Sequence, residues 1–494
     1  MSGYTFAVGN PEVKNKHFFY RVIGYLLLSL SLAQFVTMVV SFALHDRSFW
    51  NFLLAAVITF SVGAGLVMRS GSAVQLKKRY LFLLTTLCWL SICFFAAIPL
   101  YLSVPQLSIT DAWFETVSAI TTTGSTVLSG LDTMPRAVLL WRAILQWIGG
   151  IGIIVMAIAI LPALKIGGMK LFKTESSDIS EKILPRSSSL SSYILLVYLA
   201  ISVAAALSYF IGGMSGFDAV THGMTSAATG GFANYDASFG HFNDKPWLLW
   251  LSSLWMVLAA LPFVLFVGMA KGDKWALLRD PQARAFIKIV LVAALMLTAY
   301  QIIHDQRSWF AALTHSVFNV VSVITTCGYA SEDYSAWGSM AVVMFFYLTF
   351  SGGCSGSTSG GLKIFRTQLS GYLLVKQLNL LIHPNAVWTQ KYGSKKVDDS
   401  LLSSVLAFAF IYFATIAALA LVLSMYNLDF VTALTGAATA VGNVGPGLGD
   451  IIGPAGNFAT LPDGAKWWLS LGMLLGRLEI LTVLLLFTPM YWRY

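Results

Sequence analysis

Along most of this chain the apolar residues form continuous runs rather than stripes. Runs long enough to cross a bilayer as helices, about 20 residues, occur near 22–44, 48–68, 80–104, 137–164, 190–212, 246–270, 285–304, 337–382 with an interruption, 400–426 and 466–490. They predict an all-α integral membrane protein with ten transmembrane spans, an even number that leaves both termini on one side. After the first two spans the pattern becomes periodic. Four times, a span is followed by a short amphiphilic segment, a Thr/Gly-rich turn and another span. The turns read TTTGS (121–125), ATGGF (228–232), TTCGY (325–329) and GNVGP (442–446). The segments before them, near 111–121, 217–228, 309–324 and 429–441, are too short to span and suit half-helices that enter the membrane and turn back. The first and third units also align as FETVSAITTTG (114–124) against FNVVSVITTCG (318–328). An internal repeat of this kind defines the architecture. The expected organisation is a two-span N-terminal domain (1–69) and four pore repeats (77–165, 187–271, 284–383 and 398–494) around one pore.

Composition agrees with lipid as the solvent. Of 494 residues 57% are hydrophobic and 11% charged, too few charges to coat soluble domains of this total size. The formal charge of +9 could suggest nucleic acid, but its distribution points elsewhere. The N-terminus and the connections near 69–79, 165–186, 271–288 and 363–396, with Arg493, hold 24 of the 31 Lys and Arg. The other side holds Arg47, Arg136, Lys245, Arg307 and Lys466. The positive-inside rule places both termini in the cytoplasm. Thirteen of the 22 acids, Asp111, Asp218, Asp236, Asp429 and Asp450 among them, face outward. Such an excess draws cations toward a surface, although avoidance of Lys and Arg in translocated loops produces it as well. Met1 to Lys16 is polar and the first apolar run continues into the second, so no removable signal peptide is expected. Cys88, Cys93, Cys327 and Cys354 lack metal-site spacing, and the first two suit buried apolar positions.

The four turns carry the chemistry. Backbone that is not helical at membrane depth must be buried in protein or line water. A glycine in each turn adopts dihedrals closed to other residues, so preceding carbonyls can face a shared axis and replace the hydration shell of a monovalent cation. Each half-helix ends at its turn with its negative dipole end toward that axis. Asp111, Asp218 and Asp429 begin three of these helices, where a carboxylate caps free N–H groups.

These four turns, with the run QWIGGIGIIV at 146–155, resemble the Trk/Ktr/HKT superfamily of potassium transporters across essentially the whole chain. The two additional N-terminal spans resemble the TrkH-type, ion-translocating subunit of bacterial Trk uptake systems. The resemblance implies filter glycines at Gly124, Gly231, Gly328 and Gly445, with K+ as the transported ion. It places carbonyl donors at Thr122, Thr123, Thr229, Gly230, Thr326, Cys327, Asn443 and Val444. In the second loop Gly230 adjoins Gly231, and in the fourth Gly442 competes with Gly445, so the register there stays open. None of the turns is the TVGYG of tetrameric K+ channels, so weaker discrimination between K+ and Na+ is expected.

Two features suggest a gate. Residues 351–361 read SGGCSGSTSGG, a run with poor helix propensity that cannot face lipid unpaired. It is expected to form a mobile pore loop below the filter, with Gly352, Gly353, Gly356, Gly360 and Gly361 as its flexible points. The resemblance also places an obstructing intramembrane loop there. Arg477 lies near mid-membrane in the last span, where a charge costs about 2.5–3.5 kcal/mol and faces a polar cavity. The resemblance puts the matching arginine in the pore, an electrostatic barrier. Glu479, about 200° around a helix from Arg477, is not expected to pair with it, and Arg142 is expected to be structural.

A proton- or sodium-coupled secondary cation transporter is the main alternative, but the repeats run parallel and offer no acidic relay. No HExxH, GxSxG or P-loop motif suggests an enzyme, and His222 and His315 suit hydrogen-bonded packing. The basic loops suit anionic membrane lipid or a soluble partner. The resemblance implies a homodimer in the bacterial inner membrane that depends on a separate cytosolic, nucleotide-binding regulatory subunit (TrkA-type); from the residues themselves, no nucleic acid partner and no organic cofactor in this chain are expected.

Overall fold

A computed structural model describes residues 11–71, 78–159, 187–385, 391–392, 395–397 and 399–493. The connection 160–186 lies outside them, and with it the whole basic segment 165–186 and the end of the expected span 137–164. Apart from a two-residue antiparallel pair, Lys391–Tyr392 with Lys395–Lys396, the described regular structure is helical. The helices of eight or more residues are α1 (Pro11–Ala43), α2 (Phe49–Met68), α3 (Lys78–Ser103), α4 (Ile109–Ile120), α5 (Arg136–Ala159), α6 (Ser187–Ile211), α7 (Gly216–Ala227), α8 (Pro246–Ala260) and α9 (Phe263–Ala270). There follow α10 (Pro281–His304), α11 (Trp309–Ile324), α12 (Ser339–Phe350), α13 (Ile364–Ile382), α14 (Asp399–Ser424), α15 (Phe430–Gly442) and α16 (Asp463–Arg477).

Among the described residues, seven helices are long and apolar enough to cross a membrane, or nine if each of two bent pairs is one span. The remaining expected span is the interrupted one, whose first helix, α12, has only 12 residues. One bend is at Leu261-Pro262, where α8 and α9 meet at 92°. Proline lacks an N–H and ends the helix before it. The other follows Arg477 at Leu478-Glu479, where Glu479 has φ +62°. Hydropathy alone reads both bent pairs as continuous spans, because a break does not change apolarity.

The chain divides into two compact units. The first comprises 1–116, 135–141 and 482–494. In it α1, α2 and α3 pack on one another. Gln34 Nε2 donates to Phe95 O at 3.1 Å and Trp141 Nε1 to Ala96 O at 3.0 Å. The second, 117–134 and 142–481, contains the four turns. The apolar windows of the long helices are 28–39% buried, as expected of surfaces that face lipid, except that of α5, which is 78% buried. Helix α5 can therefore carry Arg142 and Gln146 without presenting them to hydrocarbon. All four cysteines are buried and free.

The short helices start as their sequences dictate, with one correction. Asp429 caps α15 directly, accepting the Thr432 N–H at 3.1 Å, and the Thr432 side chain holds its carboxyl below the usual carboxylate range. In α4 and α7 the caps are serines instead. Ser108 Oγ accepts the Asp111 N–H at 3.0 Å and donates to its carboxylate at 2.9 Å. Ser215 does the same for Asp218, at 3.1 and 2.6 Å. In a Ser-x-x-Asp box the hydroxyl takes the cap position and the acid sits three residues inside.

Candidate functional site

Helices α4, α7, α11 and α15 all end in the same way. The N–H of Thr122, Thr229, Thr326 and Asn443 reaches back three residues to Ala119, Ser226, Val323 and Ala440, at 3.0–3.3 Å. The next N–H, on Thr123, Gly230, Cys327 and Val444, reaches back five to Ser118, Thr225, Ser322 and Thr439, at 2.9–3.0 Å. This bond pair is the Schellman ending, which normally places glycine in the left-handed position. Here that position holds Thr122 (φ +53°), Thr229 (+48°), Thr326 (+57°) and Asn443 (+55°). A β-branched residue there is a genuine outlier, and each such residue stores roughly 1–3 kcal/mol of strain.

Two residues on, Gly124, Gly231, Gly328 and Gly445 also have positive φ, from +77° to +114°. Positive φ at every second residue turns successive carbonyls toward one side, where a strand would alternate them. The glycines meet in a closed order. A Cβ added to Gly124 would collide with Gly230 O, one on Gly231 with Cys327 O, and one on Gly328 with Val444 O. A Cβ on Gly445 would lie 2.9 Å from Thr123 O. Each glycine thus faces a peptide oxygen of the next repeat, and the fourth closes on the first. All the sequence-predicted filter residues stand in this ring or directly beneath it. Of the competing glycines, Gly231 and Gly445 occupy the ring, Gly230 supplies a carbonyl to it, and Gly442 ends α15.

On one side of the ring lies a cavity of about 540 Å³, bordered by Gly124, Gly231, Gly328, Pro446, Asp236 and Asp450. Asp236 binds the N–H groups of Gly130 and Leu131 at 2.9 and 3.1 Å, so it fixes the loop of the first repeat there. Arg142 is buried behind the ring. It donates to Ala233 O at 3.0 Å and Thr126 Oγ1 at 3.3 Å, and lies 4.0 Å over the Phe232 ring.

On the other side sits the glycine-rich segment. Gly352–Gly360 are buried, and the segment doubles back so that Ser351 bridges Leu362. Part of its backbone is tied to the bend at Pro262. The helix end leaves carbonyls without intrahelical partners. Ala260 O accepts the Cys354 N–H at 2.9 Å, and Ala259 O accepts the Thr358 N–H at 3.4 Å. The Phe263 N–H donates to Gly356 O at 3.1 Å. The segment also touches the residues beneath the ring. The Gly360 N–H donates to Thr326 Oγ1 at 2.7 Å, and Thr229 Oγ1 donates to Thr358 Oγ1 at 3.2 Å. A Cβ on Gly360 would lie 2.6 Å from Gly442 O.

Arg477 is 2% exposed and belongs to this cluster. Its Nη1 donates to Thr358 O at 3.0 Å and its Nη2 to Gly149 O at 3.3 Å. Its Nε is buried with no protein partner, and none of the described ion pairs includes it. Glu479 pairs elsewhere, with Arg366 Nη2 at 2.7 Å, while the Arg366 guanidinium lies 3.6 Å over the Phe408 ring. Lys363 Nζ binds Ser359 O.

Several residues of this site escaped sequence reasoning. Thr358 joins the second loop to Arg477 but is one hydroxyl among many in SGGCSGSTSGG. Gln146 is fully buried against the second loop, and an isolated amide in an apolar run was the signal. Glu115, counted on the outer side, is fully buried in α4. His222 Nδ1 lies 2.9 Å from Asp218 O, whereas His315 lies 2.9 Å from Ser331 Oγ through Nδ1 and 3.2 Å from Glu332 Oε1 through Nε2.

Comparison with known proteins agrees with this geometry. The TrkH family, described as cation transport proteins, matches residues 48–494. The Trk system potassium uptake protein TrkI of Halomonas elongata is 57% identical over 420 residues, 85% of each chain. The Trk system potassium uptake protein TrkH of Escherichia coli K12 is 34% identical over 96% of this chain and 98% of its own. The crystal structure of the potassium transporter TrkH from Vibrio parahaemolyticus superposes with a TM-score of 0.89 at 33% identity, covering 97% of this chain and 99% of that one. On sequence, architecture and coverage together, the chain is a member of the TrkH family of cation transport proteins.

Proposed function

We propose that this protein takes up potassium ions across the cytoplasmic membrane of a bacterium through the four-loop ring. The observation that carries this reading is the closed order of glycines and peptide oxygens, in which four loops of one chain converge on one axis. Carbonyls of Thr122, Thr123, Thr229, Gly230, Thr326, Cys327, Asn443 and Val444 replace water around the dehydrated ion. Four half-helix C-termini add partial negative charge at the same place. The cavity bordered by Asp236 and Asp450 is the entrance. Below the ring, segment 351–361 and Arg477 form the gate, one by obstruction and the other by positive charge. The chain works as a homodimer with both termini cytoplasmic, and a cytosolic nucleotide-binding subunit of the TrkA type acts on the gate through the basic connections. The names of the relatives, potassium uptake proteins of Trk systems, support this assignment.

The test is flux through the purified full-length protein in liposomes. A K+ gradient alone is expected to drive flux, with Na+ passing less well. Flux that requires a gradient of protons or Na+ supports coupled transport instead. Absence of cation flux, with and without the regulatory subunit, overturns the proposal.

A further inference from the structure

The ring is fourfold in its backbone but not in the groups that support it. Three of its four oxygens, on Thr123, Cys327 and Val444, accept no hydrogen bond among the described residues. The fourth, Gly230 O, accepts Gln146 Nε2 at 2.5 Å. The same side chain takes the Phe232 N–H on its Oε1 at 3.1 Å, so one amide clamps the second loop on both sides of Gly231. Gln146 is fully buried on α5, and the clamp uses space found only in this repeat. At the position of Gly230 the other loops carry Thr123, Cys327 and Val444. A Cβ on Gly230 would lie 2.9 Å from Gln146 Nε2 and collide with its Cδ and Oε1.

From this we infer that Gln146 is a positioning and selectivity-determining residue, acting on the ion through Gly230 O; the inference rests on the four-loop ring being the cation filter. A donated N–H withdraws electron density from the carbonyl and fixes how far the oxygen reaches toward the axis. The number and field strength of coordinating carbonyls govern the choice between K+ and Na+. Gln146 therefore makes the second quadrant the weakest-field one and holds it at fixed radius, which disfavours the smaller, more strongly hydrated Na+. The amide also explains the glycine pair in ATGGF. Gly231 is required by its φ of +77°, and Gly230 by the neighbouring amide.

The experiment measures the K+/Na+ permeability ratio, from reversal potentials under bi-ionic conditions, on the full chain in planar bilayers or liposomes. Gln146→Met keeps the length and removes both hydrogen bonds. Gln146→Glu keeps an acceptor for the Phe232 N–H and loses the donor to Gly230 O. Both are expected to lower the ratio by roughly five- to tenfold, the scale of one buried hydrogen-bond partner removed, while cation flux persists. Gly230→Ala is expected to suppress flux, and Gly230→Ala combined with Gln146→Ala to restore it by about tenfold, because contacting residues couple. A ratio unchanged in both single variants overturns the inference. If the single variants do not fold, the double variant decides: recovery over Gly230→Ala supports the clamp, and no recovery rejects it. A wild-type protein that conducts without any preference for K+ overturns the filter assignment itself, an outcome distinct from an unchanged ratio in selective protein.

Discussion

The ring and the glycine-rich segment beneath it are both irregular backbone at membrane depth, yet they are held in opposite ways. In the ring each loop is the continuation of a helix, fixed by two backbone hydrogen bonds to that helix, and its strain is borne by Thr122, Thr229, Thr326 or Asn443 at positive φ. Segment 351–361 keeps its positive φ on Gly356 and Gly361. Beyond the Ser357–Cys354 turn, its ties run to other elements, among them the carbonyls at the Pro262 bend, the Thr229 and Thr326 hydroxyls, and Arg477. Strain persists only where surroundings over-determine it, so the ring is the rigid member. A segment whose bonds lead outward can exchange them for others as its neighbours shift.

That contrast can be broken at its strongest point first. Gly328→Ala puts a methyl group against Val444 O and forces alanine to φ +88°. Flux is expected to fall roughly 10- to 100-fold at unchanged fold, checked by liposome flux beside size-exclusion chromatography. Deleting Gly352 and Gly353 shortens the lower segment without touching the ring, and should raise flux about tenfold; unchanged or lower flux in folded protein removes the gate assignment. Arg477→Ala takes one charge and two hydrogen bonds from the same cluster. Its expected effect is a gain of about fivefold, since a buried charge near the pore is weighed in units of a few kcal/mol; loss of folding with no gain makes the arginine a structural brace. The smallest effect is expected from Thr326→Val, which keeps the branched shape and deletes the acceptor of the Gly360 N–H. A rise of about two- to threefold in open probability, read in single-channel records, corresponds to partial loss of one hydrogen bond.

Much of this arrangement was written in apolar run lengths and in four repeated glycine turns. Half-helices and turns are local features, and their periodicity survives in one sequence. The ring order is not local. That Gly124 faces the second repeat and Gly445 the first depends on how helices pack, which no window of sequence carries. The bend before Phe263 had a signal in Pro262, masked by the hydropathy of its surroundings. The break at Glu479 had no proline to mark it, and Gly476, three residues earlier, lies inside α16. The serine caps of α4 and α7 were obscured by more conspicuous acids three residues later. Gln146 was visible as a polar letter, but its target on another repeat was not.

Because one polypeptide builds all quadrants of the ring, a point mutation alters a single wall of it. In a pore of four identical subunits the same change strikes every wall at once. Cysteine, valine, glycine and threonine can therefore occupy equivalent places here, each tuned against its own backing. Graded ion preference is open to such a chain by small steps, through intermediates that still conduct.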